Sequence, residues 1–284
     1  ASANGVYADY DNVSVRLAVE DRSVNGNGLQ VFGTITKTVV ETGADLVGYS
    51  GFGTSNYLEQ PYNADLSIGS SDFSFQAWVK LTAQNSNQQA VMEFANTASP
   101  TGWRMIMNTG QQVYVGVVEN GTYYQTQTST PNITTGVWTH LLASVKSGTL
   151  SFYINGELEE SRSVPTTITS PASSILRLGR EVASNNFYWN GSLALARVSK
   201  SAPSPEQIAK IYNDEKHLFQ AGSQSTLYGT SDAVTALAHD SATDLLHVGT
   251  SQGRSVFQGL RRVSNTTDAI TAAISASNNL VAEE

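Results

Sequence analysis

Apolar and polar residues alternate along most of this chain. In Phe73–Leu81 (FSFQAWVKL), Phe73, Phe75, Ala77, Val79 and Leu81 fall on one side, and Ser74, Gln76, Trp78 and Lys80 on the other. A period of two places successive side chains on opposite faces of an extended backbone, so this run predicts a strand. Val113, Val115 and Val117 alternate in the same way, then Asn120-Gly121 supplies two residues tolerant of positive φ before polar alternation resumes. That order predicts a hairpin. Shorter runs of the same kind occupy residues 14–21, 29–35, 90–96, 103–109, 139–145, 150–156, 174–180 and 191–199. About a dozen short strands separated by turn residues predict an all-β, antiparallel sandwich rather than βαβ units.

The pattern changes twice. At SAPSPEQIAKIYNDEKHLF, Ser204 can cap a helix and Pro205 suits its first position, while Ile208, Ile211 and Tyr212 share a face. One short helix is predicted there. After Phe219 the small, polar AGSQSTLYGTSDAV reads as a joint between a sandwich over residues 1–219 and a tail over 220–284. Within the tail, residues 232–263 predict three short strands turning at 240–244 and 251–254. Such a meander has little core of its own and is expected to lean on the sandwich, on another subunit or on further sequence. Thr267 and Asp268 as caps, with Ile270 and Ile274 at helical spacing, predict a short terminal helix.

Composition narrows the function classes. The 284 residues carry a net charge of −8, and Arg261-Arg262 is the only adjacent basic pair. A groove that tracks phosphates needs a concentrated basic face, so nucleic acid is not an expected partner. No apolar run approaches the roughly 18 residues of a membrane span, so membrane insertion is not expected. With no cysteine there is no disulfide framework, thiolate metal site or cysteine nucleophile, which tilts the source toward bacteria or viruses. Ala1–Val15 has neither a basic nor an apolar targeting segment, and the start at Ala1 rather than Met suits processing or excision.

Three stretches together carry a family resemblance. GFGTSNYLEQPYNADLSIGSSDFSFQAWVK, GVWTHLLASVKSGTLSFYINGELEESRSV and ILRLGREVASNNFYWNGSLALARVSKSAPSPEQIAKIYNDEK resemble, in order, successive motifs of the laminin-G-like, concanavalin-A-like jelly roll. Upstream, EDRSVNGNGLQVFGT is similar to that family's first strand and loop. The resemblance spans Asp11 to His217 and implies a jelly-roll sandwich. One departure is that the family often places an acidic pair in the last strand, where this chain has Ala194 and Ala196. The acidic sandwich and its tail also resemble structural proteins of tailed bacteriophages, and the tail is similar to one blade of a β-propeller.

Candidate chemistry is sparse. Glycanases on this jelly roll commonly carry two carboxylates on one strand in a Glu-x-Asp-x-x-Glu spacing, which occurs nowhere here. Glu157, Glu159 and Glu160 follow the Asn155-Gly156 turn, where a solvated edge is expected. His140 alternates with Trp138 and Leu142 and is expected to be a satisfied, partly buried histidine. His217 suits a helix end, where imidazole favours the terminal carbonyls. His239 and His247, near Asp240 and Asp244, form at most a weak surface metal site. No nucleophile elbow or phosphate-cradling loop is present, and the spaced glycines of GNGLQVFG precede a strand. Asn12, Asn120, Asn132, Asn190 and Asn265 begin Asn-x-Ser/Thr triplets, which matter only in a secreted eukaryotic protein.

Sugars are recognised by stacking on ring faces and by oriented hydrogen bonds, so aromatic and polar loops are the better candidates. Trp103 and Arg104, Tyr123 and Tyr124, and the loop containing Asn185, Asn186, Tyr188, Trp189 and Asn190 are the expected glycan contacts. Either Tyr123 or Tyr124 must face outward. Asn63, Asp65 and Asp72 are hard oxygen ligands in one loop and form the candidate calcium site; no cofactor is otherwise required.

The expectation is a non-catalytic module that binds a glycan or host surface, at a virion surface or otherwise outside the cell. Its tail would dock to other structural subunits, and a homo-oligomer is compatible. The rivals are a purely structural coat or decoration protein and a glycan-cleaving enzyme.

Overall fold

A computed structural model describes residues 26–96, 101–126, 133–231 and 233–284. The strand expected over residues 14–21, the first part of the upstream motif, and Asn12 and Asn132 lie outside the described residues.

Among the described residues, twenty strands and one α-helix follow in order. The first nine strands are β1 (Gln30–Phe32), β2 (Thr36–Val39), β3 (Val47–Ser50), β4 (Tyr57–Gln60), β5 (Phe73–Leu81), β6 (Gln89–Asn96), β7 (Gly102–Met107), β8 (Val113–Glu119) and β9 (Thr122–Gln125). Next come β10 (Trp138–Lys146), β11 (Thr149–Ile154), β12 (Glu157–Ser163), β13 (Ser174–Leu178), β14 (Gly191–Ser199) and helix α1 (Pro205–Glu215). The tail holds β15 (Val234–Asp240), β16 (Leu245–Thr250), β17 (Gly253–Gln258), β18 (Arg261–Asn265), β19 (Ile274–Ser277) and β20 (Leu280–Glu283).

The sandwich is a jelly roll of two antiparallel sheets, ordered β1-β4-β13-β6-β7-β8-β9 and β12-β11-β10-β5-β14-β3-β2. One continuous apolar cluster fills the space between them, including Leu58, Phe75, Phe94, Trp103, Val115, Phe152 and Trp189. Alternation explains its membership: every apolar residue on the inward side of β5, from Phe73 to Leu81, is buried.

Trp78 and His140, on the other side of the second sheet, are buried too because α1 lies over them. Ser204 and Gln207 form a reciprocal capping box that starts α1. Ile208 then packs on Leu142 and Tyr153. Trp78 stacks on Phe219 with ring centroids 4.2 Å apart, and its Nε1 donates to Glu215 at 2.8 Å. His140 is enclosed, with its Nε2 2.9 Å from Gln76 Oε1. Burial, aided by Arg197, pushes His140 down to about 3. It is neutral at physiological pH. Glu157 and Glu159 are exposed on β12, at the edge of that sheet.

Two expectations for the tail need correction. Its meander has four strands, β15 to β18, rather than three. Residues 274–283 form a hairpin, β19–β20, rather than part of a helix. Asn278 and Asn279 take positive φ of 52° and 65°. Their N–H groups both donate to the Asp240 carboxylate, at 3.0 and 2.6 Å. Two adjacent asparagines of this kind make a tight hairpin turn, and that local chemistry outweighs the helical spacing of Ile270 and Ile274. The tail meets the sandwich through Asp45, which accepts hydrogen bonds from Ser225 N, Thr226 N and Thr226 Oγ1.

Candidate functional site

With α1 on the second sheet, the outer face of the first sheet carries a row of polar and charged residues. Strand pairing sets one row of residues straight across it. Gln30 pairs with Glu59, Glu59 with Arg177, Arg177 with Glu93, Glu93 with Arg104, Arg104 with Gly116 and Gly116 with Gln125. Charges therefore alternate in sign from β4 to β7, an arrangement in which each cross-strand pair is attractive. Arg177 Nε donates to Glu59 at 2.8 Å.

Gly116 opens the far end of the row. A Cβ there would lie 2.7 Å from the Gln125 Cβ, so only glycine lets β8 and β9 approach this closely. Arg104 reaches across the gap and donates from Nη2 to Gln125 Oε1 at 3.1 Å. Its guanidinium carbon lies 4.4 Å from the centroid of the Tyr123 ring and 5.5 Å from that of Tyr114.

The segment after β13 closes over the middle of the row. Gly179 turns the chain at φ +80°, and Glu181 N then bonds Phe187 O at 2.9 Å. Arg177 Nη1 donates to the carbonyls of Glu181 and Val182, while Val182 N donates to Glu93 Oε2 at 2.6 Å. Arg104 Nη1 lies 3.6 Å from Glu181 Oε1. Burial, reinforced by the Glu181 carboxylate, pushes Glu93 up to about 7. Burial also raises Glu181, with Arg104 opposing. At the other end, Arg177 and Arg180 both lie over the Tyr57 ring, which stacks on Phe32 with centroids 4.7 Å apart.

Strand alternation divides the predicted glycan residues on β7 and β9, and burial divides those in the loop after β13. Arg104 and Tyr123 come together, with Tyr123 at 42% exposure. Asn185 and Asn186 are exposed on the loop that Glu181 links to Arg104, and Tyr188 is half-buried there. Tyr124 turns inward and packs on the core. Trp103 and Trp189 are corrections: both are core residues, at 1% and 0% exposure, and neither offers a face to a ligand. Gly102–Met107 is a strand and not a loop, so Trp103 must point opposite to Arg104. The Trp189 Nε1 donates to Ser192 O at 3.2 Å, while Asn190 bonds Asn85 and Gln89.

The site also contains Glu93, Tyr114, Gln125 and Glu181, which the sequence reading did not select. Glu93 is the lone charge in AVMEFAN, a signal that an outward position was occupied. Its partners depend on register between strands far apart in sequence.

The candidate calcium residues do other work. Asn63 caps a turn by accepting from Asp65 N at 2.8 Å, Asp65 accepts from Asn27 Nδ2 at 3.2 Å, and Asp72 accepts from Ser147 N at 2.9 Å. Among the described residues, no three His, Cys, Asp or Glu side chains are grouped to hold a metal ion. His239 and His247 are on opposite faces of the tail sheet, since His247 pairs with Ala238 and not with His239. A concavity of about 390 Å³ lies beside α1, away from this row, and is lined by residues that include Glu41, Trp138, Tyr212 and Lys216. Its Trp138 ring is already packed on Phe219 at 4.8 Å.

Residues 52–209 match a family model described as the concanavalin A-like lectin/glucanases superfamily. No curated protein matches the chain. Among solved structures, the fold is similar to the binding domain of Paraclostridial Mosquitocidal Protein 1. Identity is 17%, the TM-score is 0.57, and 83% of this chain and 62% of that one are covered. It is also similar to the botulinum neurotoxin serotype D ligand binding domain in complex with N-acetylneuraminic acid. There the identity is 14% and the TM-score 0.55, with 86% of this chain and 61% of that one covered. The receptor binding domain of botulinum neurotoxin C/D mosaic serotype gives 14% identity and a TM-score of 0.54, covering 85% of this chain and 60% of that one. This chain thus spans about three fifths of the length of each.

Proposed function

The chain belongs to the concanavalin A-like lectin/glucanase superfamily, and from that premise we propose that it is a non-catalytic glycan-binding module using the outer face of its first sheet. The observation that carries this reading is the Arg104–Tyr123 pair. An exposed ring is held beside a guanidinium, with Gln125 adjoining and the polar loop of Asn185 and Asn186 on the same side. Ring and polar groups together are what sugar recognition requires: an apolar face for stacking and directional donors and acceptors at its edge. Such a shallow site binds weakly alone and gains strength from copy number. Similar folds described as binding domains, one of them with N-acetylneuraminic acid bound, support the same class of ligand.

The rival enzyme reading rests on Glu93 and Glu181, two neighbouring carboxyls with raised pKa values. A glycosidase pair must reach the scissile bond from either side. Glu93 is buried and its oxygen holds the Val182 N–H, which favours a structural role in seating the loop. The finer assignment, a virion surface or tail component, rests on the resemblance to phage structural proteins and on the acidic, cysteine-free composition. Detection of the chain in purified particles would test it.

A glycan array probed with the multivalently displayed protein tests the binding reading, with sialylated and neutral oligosaccharides included. Binding by the wild type that falls at least about tenfold in Tyr123→Ala is the expected result. No binding to any glycan overturns the lectin reading. Equal binding by wild type and Tyr123→Ala moves the site elsewhere. Release of reducing ends that stops in Glu93→Gln would establish the enzyme instead.

A further inference from the structure

Two parts of the tail repeat each other. Ala233-Val-Thr-Ala is followed by Leu237, and Ala269-Ile-Thr-Ala by Ala273 and Ile274. Both stretches lead into antiparallel hairpins, β15–β16 and β19–β20. Counted back from the turn, where Asp240 pairs with Leu245 and Ser277 with Leu280, Leu237 corresponds to Ile274, His239 to Ala276 and Leu246 to Val281. One inserted alanine absorbs the difference in spacing.

The second repeat packs on the first in a defined sense. On β15 and β16, the side carrying Ala236, Ala238, Asp240 and Gly249 receives β19. A Cβ on Gly249 would lie 2.6 Å from Ile270 Cγ2 and 3.1 Å from Ile274 Cδ1, and Asp240 takes both N–H groups of the Asn278-Asn279 turn. The hairpin turns Ile274, Ala276 and Val281 toward this contact, where they are half-buried, while Ser275, Ser277 and Leu280 are exposed. The Ile274–Val281 face of one repeat therefore lies on the Ala236–Asp240 face of the other, which also carries Leu245 and His247.

Each face has an equivalent in the same chain that is open in part: on the tail sheet Val248 and Phe257 are buried, and the open part lies at Leu237, His239 and Leu246. Leu237, His239 and Leu246 correspond to the half-buried contact side of the second hairpin but are exposed, with Leu237 at 60%. Ser275, Ser277 and Leu280 correspond to the receiving side of the first repeat and are exposed as well, with Leu280 at 76%. We propose that the Leu237–Leu246 face is a docking surface for the Ser275–Leu280 face of a second copy of this chain, continuing the contact already formed within the tail. The association is head-to-tail, because the two faces differ, and so builds a ring or an open array rather than a two-fold dimer. It is independent of the glycan reading.

Sedimentation of the full chain over a concentration series tests this, together with disulfide trapping that exploits the absence of native cysteine. Leu237→Glu and Leu280→Glu alter exposed side chains, so both variants are expected to keep the wild-type circular dichroism. Each should weaken self-association by at least about tenfold. Mixed Leu237→Cys and Leu280→Cys proteins should cross-link to each other faster than either does to itself. A wild type that stays monomeric at every concentration overturns the proposal, as does association unchanged in both Glu variants. Preferential Leu237→Cys homodimers would replace the head-to-tail contact with a two-fold one.

Discussion

Glu93 and Arg104 face each other in register across β6 and β7, yet each carries its main load elsewhere. Glu93 accepts the Val182 N–H, and Arg104 reaches over Gly116 to Gln125. The pair thus links two parts of one surface: the loop that follows β13 and the exposed ring of Tyr123 on β9. A perturbation at Glu93 is expected to be felt first in the loop.

Glu93 gives a pH signature. Its folded pKa of about 7 lies above the ordinary 4.5, so between these values the folded state holds more protons than the unfolded state. Its contribution to stability is full below pH 4.5 and declines as pH rises to about 7, by on the order of 3 kcal/mol. Glu93→Gln removes this dependence while keeping an acceptor for Val182 N. Thermal melts of both proteins from pH 4.5 to 8 measure it: the variant should gain on the wild type as pH rises. A constant difference across the range would mean that Glu93 does not titrate there.

His140 acts in the opposite sense. Its folded pKa of about 3 lies below the ordinary 6.5, so the unfolded state binds the proton first. Stability from neutral His140 is complete above pH 6.5 and is lost progressively as pH falls toward 3. In Glu93→Gln, where the opposing contribution is gone, the melting temperature should therefore drop steadily below pH 6.5. Adding His140→Phe lowers stability at all pH values by leaving Gln76 unpaired, but it should flatten this acid slope. An unchanged slope in the double variant would assign it to other groups.

Local patterning makes much of this molecule legible in its sequence. The alternation in Phe73–Leu81 gives both faces of the central strand, and Ser204-Pro205 gives the start of α1. Alternation also required one of Tyr123 and Tyr124 to point outward. What it could not provide was register. Nothing near Glu93 in sequence says that Arg104, Arg177 and Val182 N will meet it, because those contacts are made between strands separated by long excursions. Trp103 and Trp189 look like exposed loop residues because their neighbours are polar. The strand period turns Trp103 into the core, whereas Trp189 does lie in the loop before β14 and is buried there with its Nε1 bonded to Ser192 O. The Asn278-Asn279 turn was legible, but the spacing of Ile270 and Ile274 offered a competing helical pattern.

The misread tryptophans make a contrast with Tyr123. Trp189→Ala empties a fully buried site and removes a donor bonded to Ser192 O, which should cost about 3–5 kcal/mol. Tyr123→Ala removes an exposed ring and should cost less than about 1 kcal/mol. Denaturant unfolding of the two variants tests the assignment of inward and outward faces. If Tyr123→Ala proved the more destabilised, the ring would be a packing element, and its value as a binding probe would be lost.

Gly179 offers the sharpest test of how the loop is seated. It adopts φ +80°, and a Cβ there would lie 2.0 Å from Phe52 Cδ1, inside a ring that is itself buried. Gly179→Ala therefore combines a left-handed backbone penalty with an overlap that cannot be relieved by rotating a flexible side chain. The expected cost is about 3 kcal/mol or more. Because Gly179 O also accepts from Trp189 N at 2.9 Å, the strain is delivered to both ends of the 180–189 loop. Hydrogen exchange at Val182 N, which is protected by Glu93 in the wild type, should accelerate in the variant relative to amides of β10 and β11. Uniform acceleration throughout the sandwich would show that the turn supports the whole fold rather than the loop. An unaltered melting temperature would mean that Phe52 has room to move.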